Sequence, residues 1–150
     1  MTTKAATGRT RIVVGVDGSA HSTLALSWAL RISATTNSSI DAVISWHLPV
    51  ISGLGYVSDR WDPETDAMNC LKDSADLAFG STRPPGLRLL VRQGLPAKVL
   101  LDESKGAVML IVGSRGHGGF AGLLLGSVSA ACAEHATCPV LVVHGDQSIP

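Results

Sequence analysis

Five short apolar runs, separated by stretches of helical period, constrain this chain more than any other feature. Arg11 to Val16 carries Ile12, Val13, Val14 and Val16, and Ile40 to Trp46 carries Ile40, Ala42, Val43 and Ile44. Leu87 to Arg92, Val108 to Val112 and Val140 to His144 follow, the last after Pro139, where a first-residue proline is tolerated. Runs this apolar read as strands buried on both faces. Between them lie helix signals. One helix runs from an N-cap at Ser19 to about Ala34, with Leu24, Trp28 and Ile32 as its apolar stripe. A second spans Pro63 to Phe79, with Ala67, Leu71, Ala75 and Ala78 on one side. Shorter ones run from Pro96 to about Lys105 and from Ser127 to His135. The resulting βαβαβαβαβ order predicts an open five-stranded parallel sheet with right-handed crossovers and helices on both faces.

The 150 residues fit one domain, expected over 11–144, with short tails at 1–10 and 145–150. Hydrophobic residues make up 45% and aromatics only 4%, so Val, Leu, Ile and Ala must fill the core. Twelve basic and twelve acidic residues balance to zero net charge, which argues against a nucleic-acid partner held by phosphate contacts. Met1 to Arg11 is polar and lacks a signal segment, and no apolar stretch is long enough to cross a membrane, so the chain is expected to be cytoplasmic with no membrane partner. Cys70, Cys132 and Cys138 form no Cys-x-x-Cys pair and read as free thiols. His21, His117, His135 and His144 have no metal-ligand spacing.

Two turns carry chemistry. Asp17-Gly18-Ser19 follows the first strand. A glycine-rich loop follows the fourth, running from Val112-Gly113-Ser114-Arg115-Gly116 to Gly126-Ser127-Val128-Ser129 at a helix start. Glycines let another group approach the backbone, and serine hydroxyls beside free helix N–H groups make an anion site. Arg115 is the one cation in this loop and a candidate phosphate partner. Ligands of open parallel sheets bind beyond the carboxyl ends of the strands, where strand order reverses. If the first and fourth strands are neighbours there, both turns face one crevice. Gly116-x-Gly118-x-x-Ala121 imitates a dinucleotide fingerprint, but it follows the wrong strand and has no acidic partner about 20 residues on. Gly-Lys-Ser/Thr is absent, which removes a Walker loop.

The long stretch His47 to Asp62, with Pro49 and two glycines, has no clear period and reads as a functional or interface loop. Trp61 in it reads first as a packing or partner contact.

The spacing Gly113-x2-Gly116-x9-Gly126-Ser127, together with Gly15-Val16-Asp17-Gly18-Ser19 and the closing Cys138-Pro139-Val140-Leu141-Val142-Val143, resembles the ATP-binding class of the universal stress protein family. The resemblance covers about Arg11 to His144. It implies a 3-2-1-4-5 strand order, a homodimer paired through the last strand, and ATP or a related adenine nucleotide, with Mg²⁺, in the crevice. It also implies that Asp17 lies near the ribose and metal, and that His47 lies where backbone groups hold adenine. Val112, Gly113, Gly116, Gly126, Ser127, Val128 and Ser129 would line the ribose and phosphates. Bland duties compete: Asp17 as a turn residue, His47 and Arg115 as solvated charges.

Phosphoryl transfer needs a neutralising cation, a metal ligand and a group that positions water. The loop has no lysine and no evident base beyond His117. The expectation is a nucleotide-binding regulatory protein rather than an enzyme. Slow ATP hydrolysis, or an interaction module with a vestigial crevice, are the rival readings.

Overall fold

The computed structural model describes residues 10–48, 60–116 and 125–145. Nine elements alternate along the chain: β1 (Arg11–Gly15), α1 (Ala20–Thr36), β2 (Ser39–Trp46), α2 (Pro63–Phe79), β3 (Arg88–Gln93), α3 (Pro96–Glu103), β4 (Met109–Gly113), α4 (Ser127–His135) and β5 (Val140–Val143). The strands form one sheet in the order β3-β2-β1-β4-β5, and every pairing is parallel. Strand order therefore reverses between β1 and β4, as the family resemblance implies.

The period-two alternation of each strand divides the core in two. Ile12, Val14, Ile40, Ala42 and Ile44 face α1 and α2, where they meet Ala25, Leu26, Ala29, Leu71 and Ala75. Val13, Val43, Leu110 and Val112 face the opposite way and pack with Val99 and Leu100 of α3 and Cys132 of α4. Both faces are covered, which is why the strands read as continuous apolar runs.

The sequence stripe assigned to α1 differs from the buried face. Ser22, Ala25, Leu26, Ala29 and Ser33 are buried, while Leu24, Trp28 and Ile32 are only partly so. Small residues let the helix axis approach the sheet, and the larger side chains flank the contact line. A search for large apolar residues four apart finds those flanking positions instead. Ser19 caps α1 as expected, its side chain accepting from the Ser22 amide. Asp62 caps α2 in the same way, accepting from the Thr65 amide with Pro63 following at the first helical position.

One buried charge escaped the sequence reading. Asp41 is the third residue of β2, with 1% of its surface exposed. Its carboxylate accepts from Arg88 Nε at 2.8 Å and Arg88 Nη2 at 2.6 Å, a bidentate pair across β2 and β3. Arg11 approaches the same carboxylate at 3.7 Å and donates to the main-chain oxygens of Glu103 and Lys105. This cluster ties three strands to the C-terminal end of α3, at the end of the sheet opposite the reversal point.

No helix among the described residues is long and apolar enough to cross a membrane. Cys70, Cys132 and Cys138 are free thiols, with Cys132 fully buried. The expected tails fall largely outside the described residues, as do most of the His47–Asp62 stretch and residues 117–124 of the glycine loop.

Candidate functional site

A cavity of about 320 Å³ opens where β1 and β4 part. Its walls come from the ends of three adjacent strands and from the first turns of α1, α3 and α4. Gly15, Val16 and Asp17 close β1; Val43 and Ser45 come from β2; Val112 and Gly113 end β4. Pro96 and Leu100 of α3 form one side, and Gly126 to Ser129 at the start of α4 form the other. Asp17, Val112, Gly113, Arg115, Gly116, Gly126, Ser127, Val128 and Ser129, all singled out in the sequence, are brought together here. His47 is not: it stands exposed beyond the end of β2 and does not line the cavity.

The glycines are seated more specifically than the sequence suggested. None of Gly113, Gly116 or Gly126 has positive φ, and Gly113 and Gly116 are glycine for space, whereas a Cβ at Gly126 would meet only ordinary contacts. A Cβ at Gly113 would stand 2.7 Å from the His21 Cβ and 3.0 Å from the His21 carbonyl carbon. The missing side chain there makes room for the first turn of α1, on the face away from α3 and α4. A Cβ at Gly116 would collide with Asp17 Oδ2, so this glycine lets the carboxylate lie against the loop backbone. At Gly126 the nearest atom is the Ser114 oxygen at 3.4 Å. At Gly15 it is Leu100 Cδ1 at 2.7 Å, which brings α3 close over β1.

Ser114, which sequence reasoning passed over, joins these parts. It is buried, and its amide donates to the Val143 oxygen at the end of β5. Its own main-chain oxygen accepts from the Gly126 amide at 2.7 Å and from Ser129 Oγ at 3.0 Å. Its hydroxyl pairs with His21 Nδ1 at 3.2 Å. One residue thus closes both ends of the glycine loop onto each other and fixes them to α1 and β5. The Ser129 hydroxyl spends its proton inside this clamp, leaving only its lone pairs for anything in the cavity.

The polar groups fall at one end of the cavity. Gly126 offers no capping side chain, so the first-turn amides of α4 at Ser127, Val128 and Ser129 have no side-chain cap among the described residues and carry the positive end of the helix dipole. Arg115 stands exposed on the same rim. Asp17 lies against Gly116 of the same loop, its Oδ1 accepting from the Ser19 amide at 2.9 Å while its own amide donates to Ser22 Oγ at 3.3 Å. Ser22 is a second residue the sequence did not flag, a buried hydroxyl that lines the cavity and shapes the Asp17 turn. Burial first, and then the Asp17 charge, push the Cys70 thiol of α2 above its ordinary pKa. Among the described residues no three His, Cys, Asp or Glu side chains come together as a metal site.

A glycine loop clamped at a strand reversal, facing an uncapped helix start, agrees with what comparison with known proteins finds. The sequence pattern of the universal stress protein family matches residues 8–144. The chain belongs to the universal stress protein family. A curated member from Mycolicibacterium smegmatis is 34% identical over 137 residues, which are 90% of this chain and 46% of that protein. The chain spans about half the length of the curated relatives it matches. Among solved structures, UspA of Lactobacillus plantarum superposes with a TM-score of 0.71 at 20% identity, covering 91% of this chain and 98% of its own. A universal stress protein in complex with cAMP superposes with a TM-score of 0.69 at 25% identity, covering 93% of this chain and all of its own.

Proposed function

We propose that this family member is a nucleotide-dependent regulatory protein that holds ATP in the cavity between β1 and β4. The observation that carries the reading is the division of the cavity into a polar end and an apolar end. At the polar end the α4 amides and Arg115 suit the phosphates, which a helix N-terminus binds through its N–H groups and dipole. At the other end, Val43, Leu100 and Pro96 offer apolar walls to a planar base. Strands lie about 4.8 Å apart, so the path from β4 to β2 covers roughly 10 Å, on the scale of a nucleoside. The cAMP held by the family member at 25% identity supports an adenine nucleotide as the ligand class.

Asp17 fits a divalent cation brought in by the nucleotide. It supplies one exposed carboxylate facing the phosphate end, and Mg²⁺ characteristically takes one or two carboxylates together with phosphate oxygens and water. A resident metal cage would need more ligands than the described residues gather. The chain's role in this reading is holding rather than turnover: Asp17 is the one carboxylate among the described residues that line the cavity, and it is taken up by the cation and the Ser19 amide rather than set to act as base for an attacking water.

We further read β5 as the edge where two copies pair into a homodimer. Val140, Leu141 and Val142 are half-buried along an edge strand whose outer side pairs with no described strand. Nucleotide occupancy would be transmitted there through Ser114, which bonds both the α4 start and the end of β5. Isothermal titration tests the central claim. Saturable binding of ATP in the presence of Mg²⁺ is expected, and no saturation at millimolar nucleotide would overturn it. The same titration with cAMP separates the two ligands. Sedimentation at micromolar protein is expected to return the dimer mass.

A further inference from the structure

Among the described residues, the apolar end of the cavity has one polar side chain, Ser45. It is the seventh residue of β2 and shares the strand face of Asp41 and Val43, toward α3. Val43, two residues earlier on the same face, and Pro96 and Leu100 of α3 line the cavity with it. Its hydroxyl makes no hydrogen bond with any described residue, whereas Ser22, Ser114 and Ser129 all spend theirs on the protein. A hydroxyl set among apolar side chains and left without a protein partner is available to a ligand, and it can either donate or accept. It also lies two strands away from the α4 amides that suit phosphate, so the part of a nucleotide that reaches it is the base.

Resting on the nucleotide reading above, we propose that Ser45 is a specificity-determining residue, whose hydroxyl hydrogen-bonds the polar edge of the base. Apolar walls accept any flat heterocycle of the right size. Discrimination between bases of similar shape comes from polar groups that a wrong base leaves unpaired. The other three side chains named at this end have no polar atom with which to discriminate, so Ser45 is where selection by a side chain operates.

The test compares ATP, GTP, CTP and UTP on the wild-type chain and on Ser45→Ala, each with Mg²⁺, by titration calorimetry. The Ser45 hydroxyl bonds no described residue, so the variant is expected to keep its melting temperature, which is measured alongside. Loss of one hydrogen bond to the base should weaken ATP about three- to tenfold. The preference for ATP over the least-favoured nucleotide should shrink by a similar factor. If Ser45→Ala leaves that preference unchanged, or weakens all four nucleotides equally, the inference is overturned while the nucleotide reading stands. If the wild-type chain binds none of the four, the nucleotide reading itself fails, and the Ser45 inference with it.

Discussion

The side chain that Gly113 lacks would lie 2.7 Å from the Cβ of His21 and 3.0 Å from its carbonyl carbon, so the end of β4 and the start of α1 are in backbone contact. Gly116, three residues on, is crowded instead by the Asp17 carboxylate. Two glycines of one motif therefore do different work: the first sets helix-to-sheet distance, and the second sets the position of an acidic group in the cavity.

Gly113→Ala is accordingly a stability variant. The neighbours are the His21 Cβ, fixed to the main chain, and the His21 carbonyl, neither of which can rotate aside, and overpacking of this kind costs about 1–3 kcal/mol. Thermal melting of the ligand-free protein should show a fall of several degrees, and an unchanged midpoint would contradict the packing argument.

Gly116→Ala should act on binding. The new methyl displaces an exposed carboxylate that can swing away, so the ligand-free protein loses little stability. Affinity for ATP with Mg²⁺ should drop about tenfold, on the scale of a lost charge-assisted contact. Asp17→Ala should cost a similar factor. The double variant should be no worse than Asp17→Ala alone, because the collision partner is gone. Full additivity of the two losses would show that Gly116 acts independently of Asp17.

Asp41 makes a prediction remote from the cavity. Asp41→Ala removes two charge-assisted bonds to Arg88. The Arg88 side chain is 60% exposed and returns to water, which keeps the penalty below that of a fully buried broken pair. A loss of about 2 kcal/mol in urea unfolding is expected, with Asp41→Asn intermediate and nucleotide affinity unaffected.

Cys132 supplies a chemical probe of the second core. Burial, with a smaller contribution from Cys138, pushes its thiol up to about 11 from an ordinary value near 9. At pH 8 a thiol-alkylating reagent should leave it unmodified in the folded chain and modify it in urea. The sign of the pH dependence follows. The folded state holds the proton to higher pH than the unfolded chain does. The stabilisation is therefore complete below pH 9 and declines as pH rises from 9 towards 11. Cys132→Ser, with an alcohol that does not ionise in this range, should flatten that part of the stability profile.

Strand and helix order, and the two turns that meet at the cavity, were legible because their signals are local. An apolar run, a proline at a helix start or a Ser19 cap needs only its neighbours to be recognised. The parallel sheet followed from the alternation of elements, and the reversal between β1 and β4 from the family resemblance. Asp41 was hidden because its partners, Arg88 and Arg11, are far off in sequence and meet it only through strand pairing. Ser114 was hidden for a related reason: three of its four bonds are made by its main chain or received by it, and any residue type presents those groups.

By itself, the sequence determined the element order, the single layered sheet, the family and nine of the residues that line the cavity, since hydrophobic period and glycine spacing are properties of the chain. Only the tertiary structure decided what each residue does there. It gave Gly113 to the packing of α1, pressed Gly116 against Asp17, turned the Ser129 hydroxyl onto Ser114, left His47 outside and left Ser45 facing an apolar wall. Those assignments depend on which groups compete for the same space and the same hydrogen bonds, and that competition exists only once distant segments have been brought together.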